Sequence, residues 1–164
     1  MTTEEGFSPE ELALLGKAAL QAGGAVALAK YSGARGTAKE FEAIVDGLQS
    51  LRRQRPDSPL FQGLPMDAIQ QDAAQMARGF DDDPKQSAYQ DYKMVALNRV
   101  SDAVELLYAK ATPEEGAAFR QAVLWICQMV AERSKEGGFM GIGGVPVDPK
   151  EIAVIEEIRR VLQL

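Results

Sequence analysis

Histidine is absent from the 164 residues, and cysteine and tryptophan occur once each. Without imidazole there is no Ser-His-Asp or Cys-His hydrolytic centre, no His-ligated zinc or haem, and no Glu-x-x-His di-iron site. Acid–base chemistry would fall to carboxylates, lysine, tyrosine or the single thiol. Cys127 has no intrachain disulfide partner, which fits a reducing compartment, and within "LWICQMV" it reads as a small core residue. A basic surplus is also lacking. The net charge of −6 argues against nucleic acid or an anionic membrane surface as a partner. The basic run "LRRQR" (51–55) sits where a helix should end, and reads as a solvated terminus complementing the helix dipole. The N-terminus is acidic, so no cleaved signal peptide is expected. Residues 12–29 are apolar but interrupted by Lys17 and Gln21 and rich in Ala and Gly, which disfavours a membrane span. The expected location is the cytoplasm.

What recurs is a helix-start signal: a capping residue, then proline, with Glu or Gln three places after the cap. It appears at Ser8-Pro9-Glu10-Glu11, Asp83-Pro84-Lys85-Gln86, Thr112-Pro113-Glu114-Glu115 and Asp148-Pro149-Lys150-Glu151. Thr37-Ala38-Lys39-Glu40 is the same box without proline. The cap oxygen accepts from a free N–H of the first turn, the Glu reaches back to the cap's N–H, and proline at the first position sacrifices no bond.

Apolar spacing places stripes behind these starts: Leu12, Leu15, Ala19, Ala22 and Val26; Phe41, Ile44, Leu48 and Leu51; Met94, Leu97, Val100, Val104 and Leu107. Phe119, Val123, Ile126 and Val130 follow, then Ile152, Ile155, Ile158 and Leu162, with a further helix expected over 66–77. No alternating strand pattern survives, and "GGVPV" is short and broken by proline. The expectation is an all-α, compact single-domain bundle of about six to seven helices. Gly16, Ala19, Gly23 and Gly24 allow close backbone approach, placing the first helix at the bundle centre. The chain reads as two related helical hairpins, 8–53 and 112–163, joined by a middle segment, 54–110.

The stretch "SKEGGFMGIGGVPVDPKE" (134–151) lacks a P-loop's lysine after glycine, and "GIGGVP" ends in Pro146 and follows a helix rather than a strand. No nucleotide is expected there. Phe139, Met140, Ile142 and Val145 in the loop 136–147 are expected to pack on the bundle as part of a connector, and are the candidates for partner contact if the loop meets a second chain.

The ending "GGVPVDPKEIAVIEEIRRVLQL" resembles the C-terminal hairpin of the TerB-like family, named after tellurite-resistance protein B, through Val147, Asp148, Glu151, Ile155, Ile158 and Leu162. A looser copy is "SGARGTAKEFEAIVDGL", with Gly33, Thr37, Glu40 and Ile44. The resemblance implies an all-α fold of about seven helices in two halves, an association with tellurite and stress resistance, and acidic residues near the hairpin turns that bind metal ions. Ser32 stands where the family's first acidic residue is expected. Glu40, Glu151 and Asp148 are therefore the candidate metal residues, with a divalent cation as the cofactor the resemblance implies and none required by composition. Their alternative role is closure of the first helical turn. Asp102 and Glu105 share an outer helix face, and Asp81-Asp82-Asp83 reads as loop plus cap.

Three functions are open from sequence: a non-enzymatic TerB-like stress or scaffolding protein of the cytoplasm, an interaction module dimerising through 136–147, and an enzyme using carboxylates and Tyr89, Tyr92, Tyr108 and Glu105. Convergence of two or more of those groups in one pocket would favour the enzyme.

Overall fold

The structure, a computed structural model, describes residues 6–136 and 148–164, the side chains of 134–136 excepted. Among the described residues there are seven helices and no strand: α1 (Pro9–Ala29), α2 (Gly33–Gln54), α3 (Pro59–Gly63), α4 (Met66–Arg78), α5 (Gln86–Lys110), α6 (Pro113–Glu136) and α7 (Pro149–Leu162). The all-α bundle expected from the caps and stripes is the one observed. The loop 136–147 with Phe139, Met140, Ile142 and Val145 lies outside the described residues, apart from the backbone of Glu136.

The organising element is α1, which packs on every other helix. Every residue from Ala18 to Leu28 is buried, so the helix has no polar face to present to water. By length and composition it could cross a membrane, but 72% of its apolar window is buried inside the fold. Its glycines permit this position. A Cβ on Gly16 would lie 2.5 Å from Ile69 Cδ1, and one on Gly23 would lie 2.7 Å from Ile44 Cδ1. At Gly24 it would meet the Tyr92 hydroxyl and the Phe41 ring edge.

Three of the five predicted helix starts are capped by the predicted residue. Ser8 Oγ accepts from Glu11 N at 3.1 Å while Ser8 N donates to Glu11 Oε2 at 3.3 Å, a complete capping box. Thr112 Oγ1 accepts from Glu115 N at 3.1 Å, and Asp148 Oδ1 accepts from Lys150 N at 2.8 Å. Changing Asp148 to Ala is expected to cost about 1 kcal/mol in chemical unfolding, since the free N–H of the first turn of α7 loses its acceptor. An unchanged midpoint would contradict that role.

Two starts differ. α5 begins at Gln86 with Lys85 at the cap and no side-chain capping bond, so Asp83 and Pro84 precede the helix. Thr37 is no cap. Gly33 adopts φ 85, a left-handed conformation that glycine enters without strain, so the chain reverses directly after α1 and α2 starts there. Thr37 therefore lies inside α2, fully buried, and Glu40 is carried inward with it.

The middle segment contributes to the core as well as connecting. α3 is capped by Ser58, buries Leu60 and Phe61, and sets the Phe61 ring 5.8 Å from that of Phe119. The expected solvated terminus at 51–55 has a second role: Arg52 donates to the carbonyls of Phe61 and Gln62, both at 3.1 Å, and Arg55 lies over the Phe61 ring. Arginine here satisfies the last carbonyls of a neighbouring short helix.

Candidate functional site

Two helices bury most of their predicted apolar stripes but depart from them at the N-terminal end. On α5, Met94 is 61% exposed, and the buried set is Ala96, Val100, Ala103, Val104 and Leu107. On α7, Ile152 is 48% exposed and Ile155 half-buried, while Glu151, Val154, Ile158 and Leu162 face the core. Ile158 and Leu162 are buried as the stripe predicts, while in the first turns Glu151 and Val154 take the inward positions in place of Ile152, which carries the carboxylate of Glu151 inside.

Glu151 arrives near Glu40. The two are 2% and 6% exposed, on helices that both pack against α1. Ser32, which precedes α2, donates from Oγ to Glu40 Oε1 at 3.1 Å. Glu40 Oε2 and the buried Thr37 Oγ1, one turn apart on α2, have no hydrogen-bond partner among the described residues. A buried acceptor without a donor is destabilising unless a proton, a water or a cation meets it. Burial pushes the Glu40 carboxyl up from its ordinary 4.5 to about 7; the Ser32 hydrogen bond pulls it down and the nearby Glu151 charge pushes it further up.

Asp148, the third candidate, is engaged elsewhere. One carboxylate oxygen caps α7 and the other lies 3.7 Å from Lys30 Nζ at the end of α1. Of the three candidate metal residues, the structure brings Glu40 and Glu151 together and assigns Asp148 to the helix start. Among the described residues no group of three or more Asp, Glu or Cys side chains is placed to hold a metal. A divalent ion at this place would find the two carboxylates as its protein ligands, the remaining positions falling to water. This resembles the manner in which Mg²⁺ binds, retaining several waters on one or two carboxylates, more than a many-oxygen Ca²⁺ cage.

A recess of about 620 Å³ opens between the α1–α2 turn, α5 and α7, with Lys30, Tyr31, Lys93 and Lys150 among its walls and neither Glu40 nor Glu151 lining it. Lys93 is paired with Glu157 at 3.1 Å.

Of the groups an enzyme would need, Tyr89 and Tyr92 lie near one another on the inner side of α5, while Tyr108 and Glu105 lie on its exposed face. Tyr89 donates to the Ala25 carbonyl at 2.9 Å and Tyr92 to Met76 Sδ at 3.9 Å, and burial raises both phenols above their ordinary value. They brace α5 against α1 and α4. Tyr108 and Glu105 lie on the exposed face of α5, where Tyr108 donates to Gln163 Oε1 at 2.9 Å. Asp102 is exposed on the same helix, and Asp81, Asp82 and Asp83 are exposed before α5, where their charges add to desolvation in raising Tyr31. Burial pushes the Cys127 thiol up to about 12, leaving it protonated and inert at neutral pH.

Sequence reasoning found both glutamates but missed Ser32 and Thr37 as their neighbours. The signal available was Gly33, whose freedom to take positive φ allows an earlier helix start. No family model, no curated protein sequence and no solved structure matches the chain.

Proposed function

We propose that this is a non-enzymatic helical module of the TerB-like kind, acting in the cytoplasm in stress response or as a scaffold, and that it responds to a hard divalent cation held between Glu40 and Glu151. The observation that carries this reading is a pair of nearly fully buried carboxyl groups on two different helices, with the Glu40 Oε2 and Thr37 Oγ1 oxygens meeting no donor among the described residues. Two like charges in a desolvated site repel, and a cation between them converts that repulsion into attraction. Binding would displace the proton from Glu40, so affinity rises with pH through about 7. A cation there would tie the start of α2 to the start of α7, the two hairpin turns that the resemblance associates with metal. The resemblance also supports the stress-related role.

The test is thermal unfolding at about pH 8 with and without millimolar MgCl₂, CaCl₂ or MnCl₂, in the wild type and in Glu40→Gln. The expected outcome is an upward shift in Tm for the wild type with at least one of these ions, and none for Glu40→Gln. Identical responses in the two proteins, or none in either, would rule out cation binding at the pair.

A further inference from the structure

We infer that the groove between α2 and α4 is a binding site for a small organic cation, an amine carried on a flat or linear apolar body. The groove encloses about 330 Å³, at the lower end of the range for small-molecule pockets. Its floor is apolar: Phe41 and Val45 from α2, with Ala73 and Ala77 from α4, all buried. The space exists because the facing positions are alanines. Ala34 and Ala38 on α2 and Ala74 on α4 line the walls, where larger side chains would close the gap between two packed helices.

The rim states the ligand's charge. Glu42, Asp46 and Asp81 stand around the opening against one guanidinium, Arg78, and all four side chains are exposed. Glu42 and Asp46 are one turn apart on the same helix face, a spacing at which like charges repel. Among the described residues neither carboxylate makes an ion pair, and the same holds for Asp81 and Arg78; Lys39, three residues before Glu42, is not paired with it. Two unneutralised carboxylates on one wall of an apolar groove accommodate an ammonium group above a hydrocarbon body. The volume suits a molecule of about a dozen non-hydrogen atoms. An anionic ligand would meet three carboxylates, and a neutral one would leave their repulsion unrelieved. The site is separate from the Glu40–Glu151 pair and stands or falls independently of the cation reading, since neither glutamate lines the groove.

The probe is tryptamine, compared with indole-3-propionate, in calorimetric titrations of the full chain at low salt. Tryptamine is expected to bind at one site per chain, and indole-3-propionate about tenfold more weakly or not at all. In the double variant Glu42→Gln/Asp46→Asn, tryptamine affinity should fall about tenfold. In Ala74→Phe, which fills the groove from an exposed wall position, it should be lost. Ala34→Leu, on the opposite exposed wall, repeats the filling test should Ala74→Phe not retain its helical circular dichroism. No heat with tryptamine, equal binding of the anionic indole, or undiminished binding in a folded groove-filling variant would each overturn the proposal. So would a change in sedimentation mass on filling the groove, which would make this face a contact between two copies of the chain.

Discussion

Replacing Gly24 with leucine is expected to lower the free energy of unfolding by about 3 kcal/mol or more, read as a fall in the urea midpoint. Gly24 lies in the stretch of α1 that is buried on every side. Even a single Cβ there would lie 2.9 Å from Phe41 Cζ and would also meet the Tyr92 hydroxyl. Both obstacles are aromatic groups held by their own packing, Phe41 in the core and Tyr92 through its contacts with Met76 and Phe80. A flexible side chain could swing aside; a packed ring moves only with its helix. Alanine at the same position gains about 1 kcal/mol of helix propensity over glycine, which offsets part of its smaller clash. Leucine adds volume with no comparable compensation. A wild-type midpoint for Gly24→Leu would mean that α1 is not packed as closely as described.

The central place of α1 was legible because its small residues recur at helical spacing within an apolar run, a combination suited to close contact on several sides. Three of the four cap-proline starts were legible for the same kind of reason, since the chemistry is local; at Asp83-Pro84 the helix begins two residues later. Ser8, Thr112 and Asp148 act on N–H groups two or three residues away, whatever the rest of the fold does. Local chemistry failed where tertiary geometry overrode it. Thr37-x-x-Glu40 has the composition of a capping box, yet the reversal at Gly33 starts the helix four residues earlier and buries both side chains. In α7, Ile152, Val154, Ile155 and Ile158 supply two competing apolar faces. Both share Ile158 and Leu162 in the core; in the first turns the bundle buries Glu151 and Val154 where hydrophobicity alone would place Ile152, and so desolvates the carboxyl group. The candidate glutamates could therefore be named from sequence, but not their pairing.

The burial of Glu40 beside Glu151 has a measurable consequence for stability. A carboxyl group whose pKa in the folded chain, about 7, lies above its ordinary 4.5 prefers the folded state when protonated. Its contribution is complete below about pH 4.5, declines as pH rises, and is exhausted once pH passes 7. Between about pH 5 and pH 8 the wild type is expected to lose on the order of 2 kcal/mol of unfolding free energy from this group. Glu40→Gln should remove that slope. The glutamine carbonyl can still accept from Ser32 Oγ, but the side chain stays neutral throughout. The variant is thus expected to be more stable than the wild type at about pH 8 in the absence of divalent cations, and close to it at about pH 5. Parallel stability curves for the two proteins across this interval would show that Glu40 is not desolvated in solution.

The most direct measurement of the central claim, that Glu40 and Glu151 form a buried carboxyl pair, is the titration of the Glu40 side-chain carboxyl ¹³C resonance in the folded protein, assigned with Glu40→Gln. The account predicts a midpoint at about 7, moving downward when Glu151→Gln removes the neighbouring charge. A midpoint at the ordinary 4.5 in the wild type, unchanged by Glu151→Gln, would contradict it.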